Sequence, residues 1–449
     1  MSELYAGFGR VNITPGLGIG LAGYYQPRFA DGVLDELEIN ALALSCGGTR
    51  AVILTIDHCG IVKTVMDPIR QAVCDATGLP WECVYIHATH THTAPFLNPN
   101  PTEPCEIEYH QLVKRKMTDA AVLALADLKP ARMGYGTGQA PHVAFLRRYR
   151  MKDGSVRTNP GTDNPDILGP VGQVDEQVSV LRLDQTGGSS LVLVSFANHP
   201  DTVGGSKLSA DWPGFVRRTV ERVLDGTRCL CLNGIQGDVN HVNVHPRGGD
   251  CNGLHTDFDG VLRGYDHARY LGRVITGGVL QAYDKVCWTE PDRLRCGQRL
   301  VRVPSNVPDP AELPEARRLV ALHEAGRDDE IPFTGMALTT VVADACRKLR
   351  LEHGPAYFDL PLTAVTLGPV ALVGMPGEPF SAVGRAVKQV PGWAMVIPTC
   401  NTNAKEGYFP TEDAYLPGGY EAGSSNYRAG VAERLIEEAG KLLEELTKT

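Results

Sequence analysis

Long apolar runs are missing from this chain of 449 residues. No stretch of about 18 consecutive apolar residues occurs, so stable insertion into a membrane is not expected. Basic charge is in the minority: 43 Lys and Arg stand against 52 Asp and Glu, for a formal net charge of −9. The cations are dispersed, so the basic face that nucleic-acid affinity needs is lacking, as is a polybasic patch for an anionic membrane surface. The opening "MSELYAGFGRVNITPG" has no basic segment followed by an apolar one, which argues against a secretory signal and for a cytoplasmic protein. The twelve cysteines include no C-x-x-C, and Cys229 and Cys231 are the one close pair, so zinc-ribbon and thioredoxin readings both fail. They are expected to be buried, reduced thiols. H-E-x-x-H is absent too, and "GIQGDVN" lacks the spacing and the Lys of a phosphate-binding loop. Its two glycines would instead let the backbone approach a ligand closely.

What is present is ordinary globular composition, 43% hydrophobic, in an alternation of strand-like and helix-like segments. Strands are expected at 50–56, 82–88, 190–198, 228–234 and 393–400, with a hairpin over 362–375 turning at Gly368–Pro369. Helices are expected from Val62 to Gly78, over 113–128, over 209–226 with Asp211 as N-cap and Gly226 at the end, and at the C-terminus on a face of Val431, Leu435, Ile436, Leu442, Leu443 and Leu446. The fold class is therefore α/β, a mixed β-sheet core covered by helices. With no repeat and no low-complexity linker, residues 1–449 read as one catalytic domain. Segment 305–360, irregular around a helix-like "AELPEARRLVALHEAG", reads as an insertion or lid.

The polar residues fall into a pattern on this map. Asp57 and His58 follow strand 50–56, His90 and His92 follow 82–88, and His199 follows 190–198. Asp238, Asn240 and His241 follow 228–234, Glu378 follows the hairpin, and Asn401 and Asn403 follow the strand at 393–400. Ligands of open α/β sheets sit outside the carboxyl ends of strands, so six strands ending in metal-capable groups argue for one shared site. "YIHATHTHTAPF" (85–96) concentrates His87, His90 and His92. An extended i, i+2 pair would point the His90 and His92 rings to one side. Lone imidazoles such as His323 and His353 are ordinarily surface or satisfied core side chains. A catalytic zinc takes His nitrogen and carboxylate oxygen and keeps one position for water, whose pKa it lowers to about 7. A second imidazole beside the ligand, His92, would move a proton or bind the developing oxyanion.

"THTHTAP", "FANHPDT", "NGIQGDVN", "PGEPFS" and "GYFPTEDAY…GGYEAGSS" occur in the order found in the neutral (non-lysosomal) ceramidase family, and "GFGRVNITPG" with "LAGY" resembles that family's N-terminal signature. The resemblance spans nearly the whole chain, as a catalytic-domain-only, bacterial-type homologue. It implies a Zn2+ held by His90, His199, Glu378 and Tyr408, with His92, Arg147 and Tyr420 contacting substrate and water. Whether Arg147 or Arg148 of "FLRRYR" takes the Arg role stays open, and Asp238 of "GDVN" joins the catalytic candidates. Three departures stand out. Asn240 occupies the place of a Ser proposed as catalytic in the family, the C-terminal immunoglobulin-like domain is lacking, and so is an export signal. The expectation is therefore a zinc-dependent amidohydrolase whose metal-bound water attacks an N-acyl bond of a small or polar substrate rather than ceramide. The alternatives are a zinc hydrolase of an ester, lactone or carbohydrate derivative, and a non-catalytic zinc-stabilised binding protein. A small molecule is the expected partner, and a closed homo-oligomer is the default for such an enzyme.

Overall fold

Residues 3–448 are described by a computed structural model. In chain order the main elements are β1 (Tyr5–Asn12), β2 (Glu38–Cys46), β3 (Thr49–Ile56), α1 (Lys63–Thr77), β4 (Val84–Ala88), α2 (Pro104–Ala126), β5 (Lys129–Gln139), β6 (Gln177–Gln185), β7 (Ser190–Phe196), α3 (Asp211–Val223), β8 (Thr227–Asn233) and α4 (Tyr265–Tyr283). They continue as β9 (Leu294–Pro304), α5 (Leu313–Glu324), α6 (Gly335–Leu351), β10 (Tyr357–Leu367), β11 (Val370–Gly374), α7 (Ser381–Val387), β12 (Met395–Thr399), α8 (Tyr420–Ser424) and α9 (Val431–Lys448).

Nine strands make one mixed sheet in the order β8-β7-β6-β5-β1-β2-β3-β4, with Cys287–Thr289 added beside β5. The join is narrow, because β1 pairs with β2 along its length but with β5 only at Tyr5 and Ala6. The two halves pack face to face, and side-chain alternation sorts their residues. Leu181, Leu183, Leu191, Leu193, Leu230 and Leu232 enter the core shared with β1–β4. The intervening Val178, Val180, Val192, Val194, Cys229 and Cys231 pack with Trp212, Val216, Leu271 and Ile275 of α3 and α4. On the other side α2 covers β1 and β2 with Val113, Met117 and Ala120, so the layers run helix, sheet, sheet, helix. A second sheet, β9-β10-β11-β12, adds Leu294, Val365, Leu372 and Ile397 to the central core and lays its other face under α9. Its hairpin turns where expected, Leu367 pairing with Val370.

Among the labelled strands three pairs are parallel: β3/β4, β7/β8 and β11/β12. Each is closed by a crossover helix, α1, α3 and α7 respectively, as parallel pairing requires. These are the six strands singled out from the sequence. Their C-terminal ends meet at His87 on β4. Its Nδ1–H donates to the carbonyl of Cys400, just past β12, at 2.8 Å, and its Nε2 accepts the N–H of Asn233, the last residue of β8, at 2.9 Å. Nearby, Asp57 is held by a buried bidentate contact with Arg217 (2.9 and 2.5 Å) and accepts from the Glu38 N–H, so this strand-end carboxylate serves the framework.

Some elements differ from expectation. Helix α2 starts at Pro104, not 113, because a Pro with fixed φ is well placed in a first helical turn. Segment 305–360 holds two packed helices, α5 and α6, where one was expected. Asp211 is not an N-cap: it is the first residue of α3 with φ 53°, and its carboxylate accepts the N–H groups of Thr202 and Val203 across the chain. Six cysteines are buried, but Cys105, Cys251 and Cys287 are exposed. Among the described residues no helix is long and apolar enough to cross a membrane.

Burial holds His87 neutral, with its pKa pushed down to about 3. Unfolded, the ring would titrate near 6.5, so the unfolded chain takes up the proton first and stability falls as pH drops from about 6.5 toward 3. His87→Leu, which strands the buried Asn233 N–H and leaves the Cys400 carbonyl with the Thr402 hydroxyl alone, should cost roughly 1–4 kcal/mol in urea unfolding at pH 7. It should also flatten that part of the stability–pH profile.

Candidate metal centre

Past β4 the chain turns sharply at His90, whose φ of 76° is left-handed. The expected extended pair is thus corrected: the His90 and His92 rings converge through a turn, with their Nε2 atoms 3.2 Å apart. His90 Nδ1 is taken by the Cys59 carbonyl at 2.5 Å and lies 3.1 Å from the Asn401 amide, which leaves Nε2 facing inward. His199, past β7, is oriented in the same way, its Nδ1 meeting the carbonyls of Gln236 and Val239, each at 3.2 Å. The Asp211 contacts fix the next turn of that loop. Past β11, Glu378–Pro379 runs parallel to Tyr408–Phe409, so Glu378 lies opposite Tyr408.

His90 Nε2, His199 Nε2 and Glu378 Oε2 stand 3.1, 3.1 and 3.3 Å apart, all buried. A tetrahedral zinc with bonds of about 2.0–2.1 Å has ligand–ligand edges of roughly 3.3–3.4 Å, close to this triangle. The nitrogens approach Oε2 off any hydrogen-bonding direction, so this buried oxygen has no hydrogen bond. A cation among the three would satisfy it, and the donor set fits zinc. Burial and nearby Arg147 push His199 down to about 3. At His90 burial is outweighed by Glu378 and the Cys59 sulfur, which lift it to about 10. Against its own burial, Glu378 is held well below the usual carboxylate range by His90 and His199. Cys59, His90 and His92 also group, but His90 Nδ1 is already engaged there and the Lys405 ammonium sits 3.2 Å from Cys59 Sγ, which disfavours a cation.

Other groups surround the triangle. His92 Nδ1 lies 3.5 Å from Asp201 Oδ1, and Asp201 is gripped by Arg263 through two contacts of 2.9 Å and by the Tyr24 hydroxyl. Despite burial, Arg263 holds Asp201 well below the usual range. Gly23 makes room for His92, since a Cβ there would come 2.7 Å from the ring. Of the two arginines, Arg147 faces the cavity, donating to the Tyr408 hydroxyl (3.0 Å), Glu421 (2.7 Å) and the Gly237 carbonyl (2.8 Å). Arg148 points to the Gly418 carbonyl and the Phe380 ring. The Tyr420 ring packs 5.6 Å from that of Tyr408. Helix α6 walls the cavity with Met336, Leu338, Thr339 and Val342.

Four candidates are placed elsewhere. The Asp238 carboxylate accepts from the N–H and hydroxyl of Ser381 at the start of α7 and does not line the cavity. Asn240 bonds Asn159, His241 bonds the Leu262 carbonyl, and Asn403 bonds Thr363. The glycine of "GDVN" serves a backbone contact rather than a ligand, because a Cβ on Gly237 would lie 2.4 Å from the Glu378 carbonyl. Sequence reasoning missed Asp201, Arg263, Tyr24 and Glu421. Three of them lie in the quoted motifs, Asp201 two positions after His199 in "FANHPDT", Tyr24 in "LAGY" and Glu421 beside Tyr420 in "GGYEAGSS", whereas Arg263 carried no signal.

No protein-family model and no curated protein matches the chain in sequence. Solved structures do. A neutral ceramidase from Pseudomonas aeruginosa superposes with a TM-score of 0.73 at 18% identity over 99% of this chain and 75% of that one. A ceramidase complexed with C2 does so with a TM-score of 0.72 at 18% identity over 100% and 76%. The chain therefore has the neutral-ceramidase fold, as its motifs implied.

Below about pH 10 the His90 ring carries a proton that a metal must displace. Zinc binding at pH 7 should release about one proton from this group, and apparent affinity should rise about tenfold per pH unit. Titration calorimetry in buffers of differing ionisation enthalpy measures both.

Proposed function

We propose that this chain, folded as the neutral ceramidases are, is a zinc-dependent hydrolase of an amide (N-acyl) bond in a small or polar substrate. The observation that carries the reading is the donor triangle of His90, His199 and Glu378 at a cavity into which His92, Arg147 and Tyr420 also face. His90, His199 and Glu378 would hold the metal, with Tyr408 beside Glu378 as fourth ligand. A zinc there would lower the pKa of a water on its open side and polarise the substrate carbonyl.

The chain's own groups would do the rest. Asp201, 3.5 Å from His92 Nδ1, would steady the ring when it takes up charge, and its Nε2 would take a proton from the attacking water and return it to the leaving amine. Arg147, fixed by Glu421, would bind the developing oxyanion. Burial raises Tyr420 well above the usual phenol range, so its hydroxyl stays a donor. Asn240, tied to Asn159, offers no nucleophile, which leaves water as the attacking group.

Polar groups on the wall (Asn159, Asp259 and Arg263) support a polar substrate over a long-chain lipid, with Met336, Leu338 and Val342 of α6 left to meet a short acyl part. The same polarity favours, as second reading, an ester, lactone or carbohydrate derivative. A purely structural zinc would need neither His92 nor Arg147, which weighs against a binding protein. Twelve unpaired cysteines suit a reducing, cytoplasmic setting.

The purified protein should bind about one zinc per chain, lose turnover on chelation and regain it with zinc. N-acyl substrates of increasing chain length should be cut best when short. His90→Ala and Glu378→Gln should lose metal and activity together. His92→Ala and Arg147→Ala should keep the metal and lose roughly 10²–10³ in kcat. Full metal content in His90→Ala would refute the ligand assignment, and loaded enzyme inert on every amide would move the reading to the ester, lactone or sugar derivative.

A further inference from the structure

A second lobe adjoins the cleft at His92, Tyr408 and Tyr420 and is lined further by Tyr25, Arg350, Lys405, Ser424 and Asn426, with His90 and Glu378 of the triangle. Besides the His90 and His92 rings, its charged groups are the cations Lys405 and Arg350 and the carboxylate of Glu378, which is already committed to His90 and His199. The Lys405 stem lies over Gly60, where a Cβ would come 2.3 Å from its Cδ, so the backbone makes way for this side chain. Its ammonium has three N–H donors. One meets Cys59 Sγ at 3.2 Å, a thiol that, against its own burial, Lys405 and the His92 and His90 rings draw well below its usual range, so the sulfur offsets part of the charge; the other two donors have no protein partner among the described residues. Among the described residues Arg350 is hydrogen-bonded to Asn426 Oδ1 alone, at 3.2 and 2.7 Å. Among the described residues neither cation has a carboxylate within 4.0 Å, whereas the neighbouring Arg147 and Arg263 are paired with Glu421, Asp201 and Asp259. The Tyr25 hydroxyl, in contact with Tyr420, lies in the field of both Lys405 and Arg350, so the two charges act on one space. In a chain of net charge −9 a lobe left positive is a local arrangement, and low-dielectric walls focus its field on a bound anion.

We propose that this lobe is a carboxylate subsite: Lys405, with Arg350 at the rim, holds a carboxylate of the substrate a few atoms from the bond to be cut. The substrate class becomes an N-acylated amino acid or similar carboxylate-bearing amide. This rests on the hydrolase reading above. A carboxylate offers two oxygens to the two free N–H groups of Lys405, and the acyl part then extends past the triangle toward Arg147 and α6. Lys405 and Arg350 act on specificity and take no part in bond cleavage.

The test pairs N-acetylglycine with N-acetylglycinamide, which differ in charge at one position, on chelated, metal-stripped protein by calorimetry and thermal shift. N-acetylglycine should bind at least tenfold more tightly, with an affinity that falls as salt rises. Lys405→Gln should erase most of that preference and Arg350→Gln part of it, with binding of the amide unchanged. Equal binding of the two probes, binding of neither, or an undiminished preference in both variants would overturn the subsite. The wild-type comparison stands even if a variant fails to fold. With zinc restored, charge preference without turnover of any N-acyl compound would keep the subsite and sink the hydrolase reading. Turnover of N-acyl amides without charge preference would do the reverse.

Discussion

A single neutral imidazole, His87, ties together the three parallel strand pairs β3/β4, β7/β8 and β11/β12. It donates to the chain just past β12 and accepts from the last residue of β8 while itself belonging to β4. Burial keeps it in the form that can do both, since a protonated ring would have no acceptor for the Asn233 N–H. The consequence lies a few residues further along each chain segment. His90 leaves β4, His199 leaves β7 beside β8, and Glu378 leaves β11 beside β12. Each proposed ligand thus comes from a different parallel pair. A metal site tolerates only about 0.2 Å of error in its ligand distances, and three independent loops could not keep that tolerance without a common anchor behind them.

Parallel pairing explains why the site could be read from the sequence. A β-α-β unit places a short apolar strand, an abrupt change to Gly, Pro and polar residues, and then an amphipathic helix in one continuous stretch. That signal is local. Strand 50–56 with helix 63–77, strand 190–196 with helix 211–223, and the hairpin preceding Glu378 were all legible on this basis. The residue after each strand end was legible with them.

What the sequence hid is of two kinds. Backbone conformation contrary to a residue's usual preference leaves no trace in a pattern: His90 reads as extended and is left-handed, and Asp211 reads as a cap and is instead a brace for the His199 loop. Contacts across long separations are equally silent. Arg263 reaches Asp201 over 62 positions and Glu421 reaches Arg147 over 274, so neither partner could be paired in advance. The second helix of 305–360 was hidden for a third reason. Thr, Asp and Arg are spread through "GMALTTVVADACRKLRL", and only Val342, Ala343, Ala345, Arg347 and Leu351 are buried. That face is too narrow for periodicity to reveal.

The electrostatic layout follows from these long-range pairs. Asp201 neutralises Arg263 beside His92, and Glu421 neutralises Arg147 beside Tyr408, so two guanidiniums enter the cavity as oriented donors with their charge balanced. Burying a charge without such a partner is costly, and partial exposure or a ligand must offset it. Among the described residues Lys405 and Arg350 receive no carboxylate, although a substitution at Asn426 or Ser424 could have supplied one at the same lobe. The acidic groups thus aim Arg147, Arg263 and the imidazoles, and in the second lobe the Cys59 sulfur offsets part of the Lys405 charge while Arg350 has no acidic partner among the described residues.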